Sequence, residues 1–106
     1  MNRFLILALA CLSTQALAAG DADSGKLKSQ ACAACHGPDG NGPTSPDFPR
    51  LAGQHYDYLL KALRDYKSGA RRNPIMGAQV GGLGPQDMAD LAAFYSRQKG
   101  SLRVLR

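Results

Sequence analysis

Cys32-Ala33-Ala34-Cys35-His36 is the stretch on which the reading of this chain turns. A C-x-x-C-H run is the attachment signature of a c-type haem. Two cysteines three apart project from one face of a helical turn, so each thiol can add to one vinyl group of a single porphyrin. His36 follows directly, which places its imidazole under the iron that the thioethers pin. Other uses of such a pair are weaker. A disulfide across two residues closes too short a loop to stabilise much. A redox dithiol belongs in a βαβ setting, and β-branched alternation is missing from this sequence. Structural zinc wants four ligands, and outside the signal region only His55 could join these three. One haem c with its iron is the expected cofactor.

Upstream of the motif the chain reads as an export signal. Asn2 and Arg3 give a short cationic start, residues 4–12 are almost wholly apolar, and Ala16-Leu17-Ala18 offers the small residues of a cleavage site. The apolar run is too short for a bilayer, which needs about 20 residues. Cys11 lies within it and would leave with the signal; Ala8-Leu9-Ala10 before it is a poor lipobox. The expected organisation is a cleaved signal peptide at 1–19, one domain at 20–100 and a basic tail at 101–106. An exported chain of this kind is expected in the periplasm.

The whole sequence of 106 residues carries a net charge of +5. Loss of Arg3 with the signal reduces that excess, and two haem propionates would bring it closer to neutral. So small an excess, mixed with Asp, argues against nucleic acid as a partner. A local basic patch facing an acidic protein stays open.

The pattern downstream predicts an all-α fold of three main helices joined by long Gly/Pro-rich loops. The first helix is expected at about 23–34, with Asp21 and Asp23 at its start and Leu27 and Ala31 facing inward. Gly25 inside it marks either a close helix contact or a tolerated surface glycine. Residues 37–53 contain Gly40, Gly42, Pro43, Pro46 and Pro49, an ordered-loop composition unusually long for a small domain. Tyr56, Leu59, Leu60, Leu63 and Tyr66 form the apolar stripe of a second helix over 55–68, with Gly69 as its stop. A loop at 70–84 holds Met76. The third helix opens at Gly84-Pro85 and carries Met88, Leu91, Ala92 and Tyr95 on one stripe.

A haem iron bound by His36 has a second axial position. Its candidates here are His55, Met76, Met88 and, less plausibly, a lysine. Met88 sits on a helical stripe, where methionine usually fills core, and His55 stands at a helix start. Met76 lies in Asn73-Pro74-Ile75-Met76-Gly77, a setting that helical periodicity does not explain, 40 residues after His36. Its thioether is a soft, neutral ligand that raises the iron potential relative to a second histidine.

These residues resemble the class I c-type cytochromes. The likeness runs through Cys32–Gly37, Phe48-Pro49-Arg50-Leu51-Ala52-Gly53-Gln54, Tyr58-Leu59-Leu60, Lys67-Ser68-Gly69, Met76, and the stretch from Gln86 to Tyr95. It is strongest to the single-haem units of bacterial periplasmic dihaem cytochromes. The resemblance implies a cytochrome c fold around one covalent haem, with Cys32 and Cys35 as thioethers, His36 as proximal ligand and Met76 as distal ligand. It implies that the Pro49 carbonyl accepts a hydrogen bond from the proximal imidazole. It also implies that Gly25 meets the Leu91/Phe94/Tyr95 segment where first and last helices cross. The opening of the last helix departs from the pattern, since a serine often caps it and Gly84-Pro85 stands here.

The function expected from the resemblance is one-electron transfer, with the iron cycling between Fe(II) and Fe(III), and no enzymatic activity. Rival readings are a gas- or peroxide-binding haem with a displaceable distal ligand, and a subunit of a fixed redox complex. The expected partners are redox proteins, acidic ones if Lys26, Lys28, Arg50, Arg71 and Arg72 form a basic rim. Membrane association is expected only as transient docking on redox complexes.

Overall fold

A computed structural model describes residues 19–100. The expected signal peptide, apart from Ala19, and the basic tail lie outside the described residues, as does Cys11. Five helices make up the described chain: α1 (Ala22–Lys28), α2 (Gln30–His36), α3 (Tyr56–Ser68), α4 (Pro74–Val80) and α5 (Pro85–Ser96). Among the described residues there is no strand, and no helix is long and apolar enough to cross a membrane.

The expected first helix is two helices. Asp21 caps α1 by accepting the Asp23 N–H at 3.0 Å. Its continuation fails at Ser29, whose hydroxyl donates to the Lys26 carbonyl at 2.7 Å. That local bond competes with the helical ladder, and the chain restarts as α2.

α5 is the centre of the fold. Every residue from Met88 to Tyr95 is buried, because α1 packs on one side of it and α3 on another. Leu59, Leu91, Ala92, Phe94 and Tyr95 form the core cluster. Gly84 has no side chain to cap the helix; instead the Asp87 carboxylate accepts the Gly84 N–H at 2.8 Å. The α3 stripe faces this core as expected, with Leu59 buried and Tyr56, Leu60 and Leu63 packed partly buried against it. Gly69 ends α3 with φ +83°, the left-handed conformation of a helix stop.

The α1–α5 crossing overturns one expectation. Leu27 is 75% exposed and Ala31 is also exposed; the buried face of this segment is Gly25 and Ser29. The reason is the glycine. A Cβ at Gly25 would lie 2.0 Å from the Asp90 carbonyl oxygen and 2.8 Å from Phe94 Cβ. α1 therefore rests on the α5 backbone with its glycine face inward, which turns Leu27 outward. The close-contact reading of Gly25 is the correct one.

Asp90 locks the same crossing. Its carboxylate is 3% exposed and accepts from the Asp21 N–H at 2.8 Å, Lys28 Nζ at 2.6 Å and Gln86 Nε2 at 2.9 Å. Lys28 also pairs with Asp87 at 2.8 Å. Burial pushes the Asp90 carboxyl up, but the Asp21 N–H, the Lys28 ammonium and the Gln86 amide together hold it below the usual carboxylate value. Lys28 is thus an internal strut and does not belong to the expected basic rim.

Two outcomes follow from the crossing. Gly25→Ala should lower stability by about 3 kcal/mol, read as a lower denaturant midpoint of the holoprotein, because the atoms it meets include backbone that cannot swing aside. Asp90→Asn should lower stability by about 2 kcal/mol near neutral pH. A depressed carboxylate contributes stability above its unfolded value, about pH 4, and loses it as pH falls through the lower folded value. The Tm gap between wild type and Asp90→Asn should therefore be full at pH 6 and shrink below about pH 4.

Candidate functional site

His36 ends α2 and is 5% exposed. The chain reverses immediately after it at Gly37, where φ is +87° and a Cβ would sit 2.8 Å from the Gly42 backbone. The loop that follows is closed by its own hydrogen bonds. Thr44 N–H donates to the Cys35 carbonyl at 3.0 Å and Leu51 N–H to the Gly40 carbonyl at 2.9 Å. Gly53 N–H donates to the Tyr95 carbonyl at 3.0 Å, fastening the loop to α5. So folded, the loop sets the Pro49 carbonyl oxygen 2.9 Å from His36 Nδ1.

That contact decides the tautomer. A carbonyl can only accept, so Nδ1 carries the proton and donates it. Nε2 is left with its lone pair, the form in which imidazole binds a metal. Phe48 packs nearby, its ring centroid 6.1 Å from that of His36 with planes tilted by 56°.

Cys32 and Cys35 are both half-buried and are not bonded to each other. Their spacing on α2 puts them on one side of the helix. Cys32 packs against the core cluster, and burial pushes its thiol up from the ordinary value. Beside it the Tyr95 hydroxyl is buried with no hydrogen-bond partner among the described residues, and burial pushes that phenol up as well.

Met76 is not in a loop. It lies in α4, which the sequence reading missed although its start signal is present. Asn73 is the N-cap, its side-chain oxygen accepting the N–H of Ile75 at 3.0 Å and of Met76 at 3.1 Å. Pro74 then occupies the first turn, where a missing N–H costs nothing. Gly77, Gly81 and Gly82 disguise the helix. Met76 is half-buried. Val80, four residues on and so on the same face, is 1% exposed, which places the Met76 side of α4 toward the interior. Of the other candidates, Met88 is 4% exposed within the α5 core, and His55 is exposed at the N-cap of α3.

The donor set can now be tested against a haem. Two thiols share one helical face, an imidazole presents Nε2, and a half-buried thioether lies on a separate helix. Leu51, Tyr56, Leu60, Leu63 and Leu83 supply partly buried apolar surface from three segments around the core. Two thiols for vinyl groups, a soft and a borderline axial donor, and an apolar border are what a flat apolar macrocycle requires.

The cytochrome c family profile matches residues 22–97. The chain belongs to the cytochrome c family. Its cofactor is a covalently bound haem c. It is 46% identical over 104 residues to cytochrome c4 of Pseudomonas aeruginosa, covering 96% of this chain and 51% of that one. It is 42% identical over 84 residues to cytochrome c-554(548) of Halomonas halodenitrificans, covering 76% of this chain and 100% of that one. The structure of reduced recombinant cytochrome c4 from Pseudomonas stutzeri matches with a TM-score of 0.74 at 45% identity, over 79% of this chain and 48% of that one. The chain spans about half the length of the cytochrome c4 relatives.

The sequence reading also passed over Asp90, a lone acid in an otherwise apolar run from Met88 to Tyr95 and therefore detectable. Asn73 was passed over too, although Asn followed by Pro is a helix-start signal. Asn73→Ala should destabilise α4 by about 1 kcal/mol. Amide exchange from Ile75 to Val80 should then rise about fivefold, with the amides of α5 unchanged.

Proposed function

We propose that this protein is a periplasmic one-electron carrier whose haem is attached through Cys32 and Cys35 and ligated by His36 and Met76. The observation that carries the reading is the Nδ1-to-Pro49 bond, which holds a buried histidine in its metal-binding tautomer directly after the C-x-x-C pair. Bound haem supplies a reversible Fe(II)/Fe(III) couple.

The chain's own residues do the remainder. Cys32 and Cys35 fix the macrocycle's position and rotation. Pro49 orients the His36 ring and increases its basicity by accepting the Nδ1 proton. Met76 occupies the distal position, which keeps small molecules from binding there, and its soft sulfur favours the reduced iron. The apolar border of Leu51, Leu60, Leu63 and Leu83 keeps water away, so charge change at the iron meets a low dielectric. A closed axial pair leaves nothing for a substrate to bind, which favours a carrier over a catalyst or a gas sensor.

Acidic redox proteins are the partners we infer. Lys26, Arg50, Arg71 and Arg72 are exposed and remain as the basic rim once Lys28 is assigned to the α1–α5 crossing. Such encounters are brief and bury little surface.

One optical and redox titration of the mature holoprotein tests the proposal. The ferric protein should show the weak far-red band of methionine–iron ligation, and the titration should follow a single one-electron curve of about 59 mV per decade. Met76→Ala should abolish the band, lower the potential and let the ferrous protein bind carbon monoxide at neutral pH. Carbon monoxide binding by the wild type, with no far-red band, would favour the sensor reading instead.

A further inference from the structure

α4 is poorly supported for a helix that carries an axial ligand. It has seven residues and one buried side chain, Val80, and helices of that length do not persist in water unaided. Its N-terminal end is tied by Asn73. Its C-terminal end has no left-handed stop, since Gly81 stays helical at φ −56°, and there is no basic residue in its last turn.

A side chain from outside the helix reaches this end. Lys67, in the last turn of α3, donates from Nζ to the Gly81 carbonyl at 3.2 Å and also to the Leu83 carbonyl. Its ammonium lies where the carbonyls of a helix C-terminus concentrate negative charge. A neighbouring backbone tie is the Leu83 N–H to the Val80 carbonyl at 3.0 Å.

We propose that Lys67 is the positioning residue for Met76: by bridging the Gly81 and Leu83 carbonyls to α3 it holds α4 against the core and keeps the thioether on the iron. The proposal rests on the reading of Met76 as distal ligand. Lys67 does not touch haem or iron. It acts by lowering the population of a state in which α4 swings on its glycines and the distal position opens. An added ligand binds only that open state, so its apparent affinity reports the population directly.

The test uses mature ferric holoprotein with imidazole as the probe, read in every variant by the shift of the main haem absorption band on titration. Lys67→Met, which keeps the length and apolar stem but removes the donors, should bind imidazole about fivefold more tightly than wild type. Lys67→Arg should return the affinity to within about twofold of wild type. Arg64→Met removes an exposed charge one turn earlier on α3 and should leave the affinity unchanged. In a Met76→Ala background, Lys67→Met should add nothing, because there is no distal ligand left to position. Wild-type affinity in Lys67→Met, an equal effect from Arg64→Met, or an effect that persists without Met76 would each overturn the proposal. So would loss of helical dichroism in Lys67→Met, since a strut confined to α4 should leave the α1–α5 core standing. If Met76→Ala instead keeps the band and the wild-type imidazole affinity, the distal-ligand reading itself fails, whatever Lys67 does.

Discussion

The fold depends on how closely α1 can lie on α5. Gly25 removes a side chain that would hold the two backbones apart, and Asp90 then has the Asp21 N–H and the Lys28 ammonium within hydrogen-bond reach. Neither feature works without the other. A glycine contact alone is non-directional and would allow the helices to slide. A buried carboxylate alone would carry a desolvation cost of several kcal/mol. Together they give one register, and that register places α2, which follows α1 through Ser29, so that Cys32 packs against the α5 cluster.

The histidine side of the site inherits this rigidity. His36 ends α2, Gly53 bonds to the Tyr95 carbonyl of α5, and the loop between them closes on itself through Gly40 and Leu51. The Pro49 carbonyl is therefore positioned from two directions by the same helix pair. A proline is useful there beyond its shape. It fixes φ, which limits the swing of the carbonyl that follows. The imidazole orientation is thus a property of the core and not of one hydrogen bond.

Much of this was legible in the residues. The C-x-x-C-H run, the α3 stripe and the buried face of α5 are periodic or spacing signals, and they appear where the residues placed them. The contact at Gly25 was legible only through resemblance, since one glycine in a helix has two equally ordinary explanations. Leu27 misled because periodicity identifies an apolar residue but not which neighbour sets the inward face. A backbone-to-backbone crossing overrides side-chain hydrophobicity there. α4 was missed for a related reason: glycine lowers helix propensity by about 1 kcal/mol, so Gly77 and the Gly81-Gly82 pair outweighed the Asn73-Pro74 start signal. The tie from Lys67 could not be read at all, because a lysine near the end of a helix looks the same whether its ammonium meets water or a distant carbonyl.

The two faces of the site consequently rest on different physics. The proximal side is held by buried backbone contacts and a loop bonded to the core, so its local stability approaches that of the whole domain. The Met76 side, which we propose as distal, is held by a seven-residue helix, an asparagine cap and one exposed lysine. Exposed hydrogen bonds contribute less than buried ones because water competes for both partners. Mild perturbation should therefore open the methionine side while the histidine remains in place, leaving the thioether attachment intact. This asymmetry suits an electron carrier. Covalent attachment and a rigid imidazole keep the haem from leaving, while the softer side sets how completely the sixth position is closed. On the proposed ligation, reactivity toward small ligands follows the energy of α4, which substitutions at Asn73 or Lys67 can change without reaching the core.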